Sequence, residues 1–178
     1  MLDYLLKQKL RRLANNPTRK RKTHSLRTAR SLAIVFDATD NQYRQEVINW
    51  SREQEKAGKS VQVLGYFDSR KPPEDPGFPS FSKKNRSLNG SWKNPALDAF
   101  ADLTPDLLIV LNPKDQLSVM YAAVRSNAAM KVGAPSEYTN DFDLILETPE
   151  GKNLSFFLDQ LHFYLEKLHT AHEPARTI

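Results

Sequence analysis

Leu32-Ala33-Ile34-Val35-Phe36 is an unbroken run of five apolar residues, and it decides the fold prediction. A strand with one solvent-exposed face has apolar residues at every second position. An unbroken apolar run is typical of a strand that is buried on both faces of a parallel sheet. Leu107-Leu108-Ile109-Val110-Leu111 has the same character. The two runs predict a parallel β-sheet that is covered by helices on both faces.

Helical and extended patterns alternate on both sides of these runs. Strands are predicted at 32–36, 61–67, 107–111, 131–134 and 142–146, and helices at about 40–57, 97–103, 117–124 and 154–168. Such alternation implies right-handed crossovers and a mostly parallel sheet. We therefore predict an α/β fold, Rossmann-like or flavodoxin-like, with the strand order 2-1-3-4-5. An antiparallel last strand is the alternative, because the stretch before it is shorter than the dozen or more residues that a helical crossover needs.

The positive charge of the chain is concentrated at its amino-terminal end. Residues 1–30 contain ten Lys and Arg and one acid, a net charge of +9, whereas residues 31–178 contain 16 basic and 20 acidic residues, a net charge of −4. This asymmetry predicts a basic arm that meets a polyanion, RNA or a ribonucleoprotein. The alternative is a solvated tail that aids solubility. We divide the chain into the arm (1–30), one α/β domain (31–170) and a C-terminal tail (171–178).

The arm itself has two parts. Five leucines at helical spacing predict an amphipathic helix, which Asn15-Asn16-Pro17 ends. These leucines are Leu2, Leu5, Leu6, Leu10 and Leu13. The rest of the arm has few apolar residues and is predicted to be an extended linker. The leucine face predicts docking on the body or on a partner, with a membrane surface and a targeting role as the alternatives.

A long loop at 68–96 interrupts the alternation of strands and helices. Its second half places aromatic residues beside basic ones, which suits base stacking and phosphate contact on RNA. The simpler interpretation, which we favour, is that Phe81 and Trp92 anchor the loop on the body. The predicted RNA-binding residues of arm and loop are Lys7, Lys9, Arg11, Arg12, Arg19, Lys20, Arg21, Lys22, Arg27, Arg30, Lys83, Lys84, Arg86 and Trp92.

Several stretches of the body carry a resemblance to a known family. They are Ile34-Val35-Phe36-Asp37, Phe81-Ser82-Lys83-Lys84 leading to Trp92, Asp106-Leu107-Leu108-Ile109, Lys131-Val132-Gly133, Phe142-Asp143-Leu144-Ile145 and the helix over 157–164. With them the chain resembles a group of small, uncharacterised bacterial proteins classed as a domain of unknown function, over most of residues 31–170. The resemblance implies a Rossmann-like cytoplasmic protein. It assigns no catalytic residue, and the basic run at 19–22 is not part of it.

A second candidate site lies at the carboxyl ends of the predicted strands, where parallel sheets bind ligands. Asp37, Thr39, Asp68 and Asn112 follow strands there and would serve a small-molecule or nucleotide-binding enzyme. Asp and Asn also cap helices and shape turns, and this structural role is the favoured interpretation. The turn at 37–41 has no glycine, which dinucleotide and P-loop motifs need, so no cofactor is predicted.

The composition narrows the remaining classes of function. The chain has no cysteine, which excludes disulfides and thiol catalysis, and no apolar run approaches the roughly 20 residues of a membrane span. His162, Glu166 and His169 share one side of the last helix, but one helix does not close a metal shell, so no metal site is predicted. With no nucleophile motif either, we predict a non-enzymatic RNA-binding module of the cytoplasm.

Overall fold

The computed structural model describes residues 2–14, 19–88, 90–149 and 153–172. The elements are α1 (Leu2–Leu13), β1 (Ser31–Asp37), α2 (Asn41–Lys56), β2 (Ser60–Phe67), β3 (Ser80–Ser82), α3 (Pro95–Ala101), β4 (Leu107–Leu111), α4 (Leu117–Arg125), β5 (Met130–Gly133), β6 (Leu144–Ile145) and α5 (Leu154–His172). The predicted helix stop at Asn15-Asn16-Pro17 and most of the predicted tail, 173–178, lie outside the described residues.

Six parallel strands form one sheet in the order β3-β2-β1-β4-β5-β6. The Rossmann-like α/β fold is confirmed, and the five predicted strands have the neighbours expected of them. β3 adds one strand at the edge, which gives the doubly wound order of the Rossmann fold. The antiparallel alternative is wrong, because β6 pairs in parallel with β5 after a single 3₁₀ turn, Thr139–Asp141.

Helices cover both faces of the sheet, and each layer buries its own apolar core. α1, α3 and α4 lie over one face, where Val35 and Leu108 enter their core. α2 and α5 lie over the other face, where Ile34 and Ile109 enter theirs. Because successive side chains of a strand point to opposite faces, every position of 32–36 in β1 and of β4 needs an apolar residue. This explains why the two runs are unbroken.

The edge strand β3 and the loop before it are fastened to β2 by aromatic packing. The Phe78 ring occupies the space that a Cβ at Gly65 of β2 would need, so β2 has a glycine there. Phe78 also lies beside Phe36 and Phe67, with ring centroids 5.5 and 6.3 Å apart. The proline-rich loop is therefore anchored on the sheet.

The N-terminal segment is part of the same body as the sheet. Leu6 and Leu10 of α1 are buried in the core that α4 shares, so the leucine face docks on the body. Residues 19–30 follow the amino-terminal edge of the sheet, where the Lys22 N–H donates to the Ala129 carbonyl at 3.0 Å. The segment is therefore not the extended linker that its composition predicted, because backbone hydrogen bonds to the strand starts hold it in place.

Candidate functional site

The exposed cations of the N-terminal segment lie along the amino-terminal edge of the sheet. Lys20, Lys22, Arg27 and Arg30 are exposed, and their side chains make no ion pair with any described residue. We call these four residues the basic strip. The backbone of two of them is held in place: the Lys22 N–H donates to the Ala129 carbonyl, and the Arg30 N–H donates to Asp106.

Asp106 also lies at this edge of the sheet, and its carboxylate is already engaged. Oδ2 accepts the N–H groups of Arg30 and Ser31 at 2.8 and 3.1 Å. Burial works to raise the pKa of Asp106, but these two hydrogen bonds, the nearby His24 and the Ser31 side chain together outweigh it and hold the pKa below its usual value. The acid therefore fixes the backbone of the segment without pairing with the exposed cations.

Arg19 is not part of the RNA surface that the sequence predicted. Its side chain is 1% exposed, and its Nε donates to Oδ1 of Asp141 at 3.1 Å. Nη1 donates to the carbonyls of Ala128 and Ala129, and it lies 2.8 Å from Oδ2 of Asp143. A buried guanidinium needs such partners because an unpaired charge is costly to remove from water. Arg19 therefore fastens the segment to the body.

Lys131 completes this buried charge cluster. It is 0% exposed, and its Nζ donates to Oδ2 of Asp141. Burial lowers the pKa of Lys131, and the contact with Asp141 opposes that change. Arg21 adds a partly exposed guanidinium 3.4 Å from oxygens of Asp141 and Asp143, so it is less free than the strip.

The cations of α1 have mixed surroundings. Lys7 and Arg12 are exposed, whereas Arg11 lies 3.8 Å from the carboxylate of Glu137. The Nζ of Lys9 is 5.3 Å from the ring centroid of Tyr121. Lys7 and Arg12 thus remain available to an anionic partner, on a helix separate from the strip.

Trp92 and Arg86 do not belong to an RNA surface either. Trp92 is 4% exposed, and its ring packs against Phe81 and Tyr121 with centroids 6.2 and 4.9 Å apart. The Arg86 guanidinium lies over the Trp92 ring, and its Nη2 is 2.8 Å from Oδ1 of Asp3 in α1. A ring so enclosed has no face for a base, so the loop aromatics anchor the loop, as the favoured interpretation has it.

The loop lysines and the basic strip lie at opposite ends of the sheet. Lys83 and Lys84 directly follow β3, at the carboxyl ends of the strands, and both are exposed. Lys83 is paired with Asp68, with Nζ 2.8 Å from Oδ1. The basic strip and the loop lysines therefore do not form one continuous positive face.

Three of the four strand-end residues come together, and the side chains of two of them, Asp37 and Thr39, accept backbone N–H groups. Asp37 Oδ1 accepts the N–H of Thr39 at 3.0 Å, and Thr39 Oγ1 accepts the N–H of Asp68 at 2.9 Å. The Tyr66 hydroxyl donates to Oδ1 of Asp68 at 3.0 Å. Burial raises the pKa of Tyr66, so this hydroxyl stays protonated.

Asn112, the fourth of these residues, caps the entry to α4. Its Oδ1 accepts the N–H of Gln116 at 2.8 Å, and its Nδ2 donates to the Gln116 carbonyl at 3.1 Å. The side chains of Asp37, Thr39 and Asn112 thus bond to the backbone of turns, the role that the favoured interpretation gave them. The carboxylate of Asp68 instead contacts two side chains, those of Tyr66 and Lys83.

A crevice of about 900 Å³ opens at the carboxyl ends of β4, β5 and β6, between the first turns of α2 and α5. We call it the strand-end crevice. Leu111, Leu154 and Phe157 contribute apolar surface, and Asn112 is the member of the predicted strand-end set that lines it. The described lining residues with a charge are Asp40, Glu46, Asp115 and Glu147. Asp40 lies in the turn at 37–41 that the sequence analysis considered. Glu46, Asp115 and Glu147 were missed because they lie inside a helix and in two otherwise ordinary loops.

Two further classes of site were searched in the part of the chain that the structure describes. No group of three or more His, Asp or Glu side chains there is placed to hold a metal ion. The side chain of His169, one of the three residues on one side of α5, lies outside the described residues. None of the described helices is both long and apolar enough to cross a membrane.

Comparison with known proteins gives a family but no function. No curated protein and no solved structure matches the chain. The model of a family of unknown function, DUF6913, matches residues 3–168. This match takes in α1 and the basic strip as well as the sheet, so it extends beyond the stretches that carried the resemblance. The chain therefore belongs to the family of unknown function DUF6913.

Proposed function

We propose that the protein is a non-enzymatic module that binds RNA through the basic strip. The observation that carries the proposal is the set of four exposed cations on the docked N-terminal segment, Lys20, Lys22, Arg27 and Arg30, which have no ion-pair partner among the described residues. RNA presents a regular line of phosphates, and Lys and Arg on a fixed surface bind it with little loss of backbone entropy.

The net charge of the segment supports the same partner. Residues 1–30 carry +9, and the pairs of Arg19, Arg11 and Arg21 with acids use only part of that charge. Phosphate contacts position a protein on RNA without reading its sequence, so the expected binding is weakly selective. A cytoplasmic location, where RNA is abundant, belongs to the same proposal.

The test is fluorescence anisotropy of a labelled single-stranded RNA with the full chain and two variants of equal charge. The first variant replaces Lys20, Lys22, Arg27 and Arg30 by alanine. The control replaces four exposed lysines elsewhere that are outside the predicted RNA-binding set, namely Lys56, Lys71, Lys93 and Lys114.

The strip variant should lose most of the affinity for RNA, and the control should keep it. Equal losses in the two variants would mean that net charge alone is responsible, and the proposal would be wrong. If heparin binds as tightly as RNA, the proposed partner is any polyanion rather than RNA. Because the strip is held by backbone atoms, both variants are expected to fold, which circular dichroism checks.

A further inference from the structure

The strand-end crevice occupies the place where doubly wound folds bind their ligands. In such sheets ligands lie outside the carboxyl ends of the strands, where the strand order reverses, and here the reversal falls between β1 and β4. Residues from the ends of β4, β5 and β6 and from the starts of α2 and α5 line the crevice. Its volume of about 900 Å³ is within the range of small-molecule sites.

The crevice is not built for a phosphate. In nucleotide-binding relatives of this architecture, a glycine-rich turn brings phosphate to the N-terminus of the first helix after β1. Here the turn has no glycine, and the Asp40 carboxylate holds that helix end, with Oδ1 accepting the Tyr43 N–H at 2.7 Å. A carboxylate already lies where an anionic ligand would need free N–H groups.

The charge of the crevice points to a cationic ligand. Asp40 and Glu46 come from α2, Asp115 from the loop after β4, and Glu147 from the loop after β6. No Lys, Arg or His is among its described lining residues. Tyr43 stands beside Glu46, and burial, Asp37 and Glu46 together raise the pKa of its hydroxyl, which keeps the ring neutral.

The spacing of the carboxylates favours an extended cation over a metal ion. No three acids among the described residues approach closely enough to hold a metal, so the negative charge is distributed around the crevice rather than focused on one point. Between the carboxylates lies the apolar surface of Leu111, Leu154 and Phe157. A chain that alternates ammonium groups with methylene segments matches both features, because aromatic rings and carboxylates both attract ammonium groups.

We propose that the strand-end crevice binds a linear polyamine. Its ammonium groups pair with Asp40, Glu46, Asp115 and Glu147, and its methylene segments lie on Leu154 and Phe157. The proposal rests on the cavity and its lining and does not depend on RNA binding, since the basic strip lies at the other edge of the sheet.

The test is isothermal titration calorimetry of the full chain with spermidine, in the absence of RNA and at constant ionic strength. The double variant Glu46→Gln/Glu147→Gln removes two carboxylates of the crevice and keeps the size of both side chains. Losing a charged hydrogen bond costs about tenfold in affinity or more, so the double variant should weaken spermidine binding by roughly a hundredfold. The matched control, Glu55→Gln, changes an exposed glutamate on α2 outside the crevice and should leave the affinity unchanged.

Three outcomes would overturn the proposal. Equal spermidine affinity in the double variant and in Glu55→Gln would mean that spermidine binds outside the crevice, elsewhere on the acidic body. Mg²⁺ that displaces spermidine at equal ionic strength would assign the carboxylates to a metal. Competition between adenosine monophosphate and spermidine would show that the crevice binds a nucleotide instead.

Discussion

Arg19 and Asp141 lie 122 positions apart in the chain, yet the Nε of Arg19 is 3.1 Å from Oδ1 of Asp141 and both side chains are buried. Nη2 of Arg19 also donates to the backbone carbonyl of Asp141 at 2.6 Å. The pair joins the N-terminal segment to the 3₁₀ turn between β5 and β6. It is the central contact of a cluster that includes Lys131 and Asp143.

Arg19→Ala is expected to lower the free energy of unfolding by about 3–5 kcal/mol, because it leaves a buried carboxylate short of its partner. Arg21→Ala is the control: Arg21 contacts the same two acids but its side chain is 51% exposed, so it should cost at most about 1 kcal/mol. Urea unfolding followed by tryptophan fluorescence measures both. Equal losses of unfolding free energy in the two variants would show that the contribution of an arginine to the cluster does not depend on its burial.

Because α1 docks on the body, its leucines should differ sharply in how much stability the protein loses when they are replaced by alanine. Leu10 is 0% exposed and Leu5 is 42% exposed. Leu10→Ala should cost about 2–5 kcal/mol, and Leu5→Ala about 0.5 kcal/mol or less. If residues 1–30 were a separate arm, the body would stay folded without them. Because α1 covers the core beside α4, we expect deletion of residues 1–30 to lower the melting temperature of the protein strongly. A deletion variant as stable as the full chain would contradict this.

His24 predicts a dependence of stability on pH. It is 6% exposed, and burial lowers its pKa below 6.5, an effect that Asp106 at 3.8 Å opposes and Lys22 reinforces. The unfolded chain therefore binds the proton more readily, so this contribution to stability is complete above pH 6.5 and is lost as the pH falls. The steepest possible slope for one proton is about 1.4 kcal/mol per pH unit. Comparing urea unfolding at pH 7.5 and 5.5 should show a smaller loss in His24→Gln than in the natural chain.

Asp37→Ala tests the structural role of the strand-end residues. The Thr39 N–H would lose its acceptor, which costs about 1–3 kcal/mol for a buried group. Asp37→Asn keeps an oxygen at the same place and should recover most of this loss in thermal unfolding. Neither variant should change RNA affinity, and a loss of RNA binding in Asp37→Asn would assign the carboxylate a role in binding.

The proposed RNA contact predicts a specific salt dependence. If the four strip cations each neutralise one phosphate, log K should fall with log salt with a slope of roughly −2.8 on single strands. Raising the salt concentration fourfold then weakens binding by about 50-fold. Each single alanine variant of the strip should reduce the slope by roughly 0.7. A slope near zero would leave no place for phosphate contacts.

The sequence predicted the parallel sheet and the order of five strands because apolar runs and helical periods are local signals. β3 carries no such signal: its three residues lie in a proline-rich loop and become a strand only through Phe78 and Gly65. Composition likewise counted Arg19 among the free cations, because a partner 122 positions away has no local trace. Lys131 did offer a clue, since it interrupts the short apolar strand between Met130 and Val132. For the crevice, the four acids come from three separate stretches of the chain, which meet only after the strands are aligned.

The link between Arg19 and Asp141 also constrains how the chain folds as it is made. At about 5–20 residues per second, 122 residues take roughly 6–24 seconds to be synthesised after Arg19. During that time the leucine face of α1 and the cations destined for burial lack native partners, since α4, β5 and the 3₁₀ turn are made long after α1. The N-terminal segment is therefore made well before the residues that complete its native contacts. A fold closed by such distant contacts is expected to form slowly.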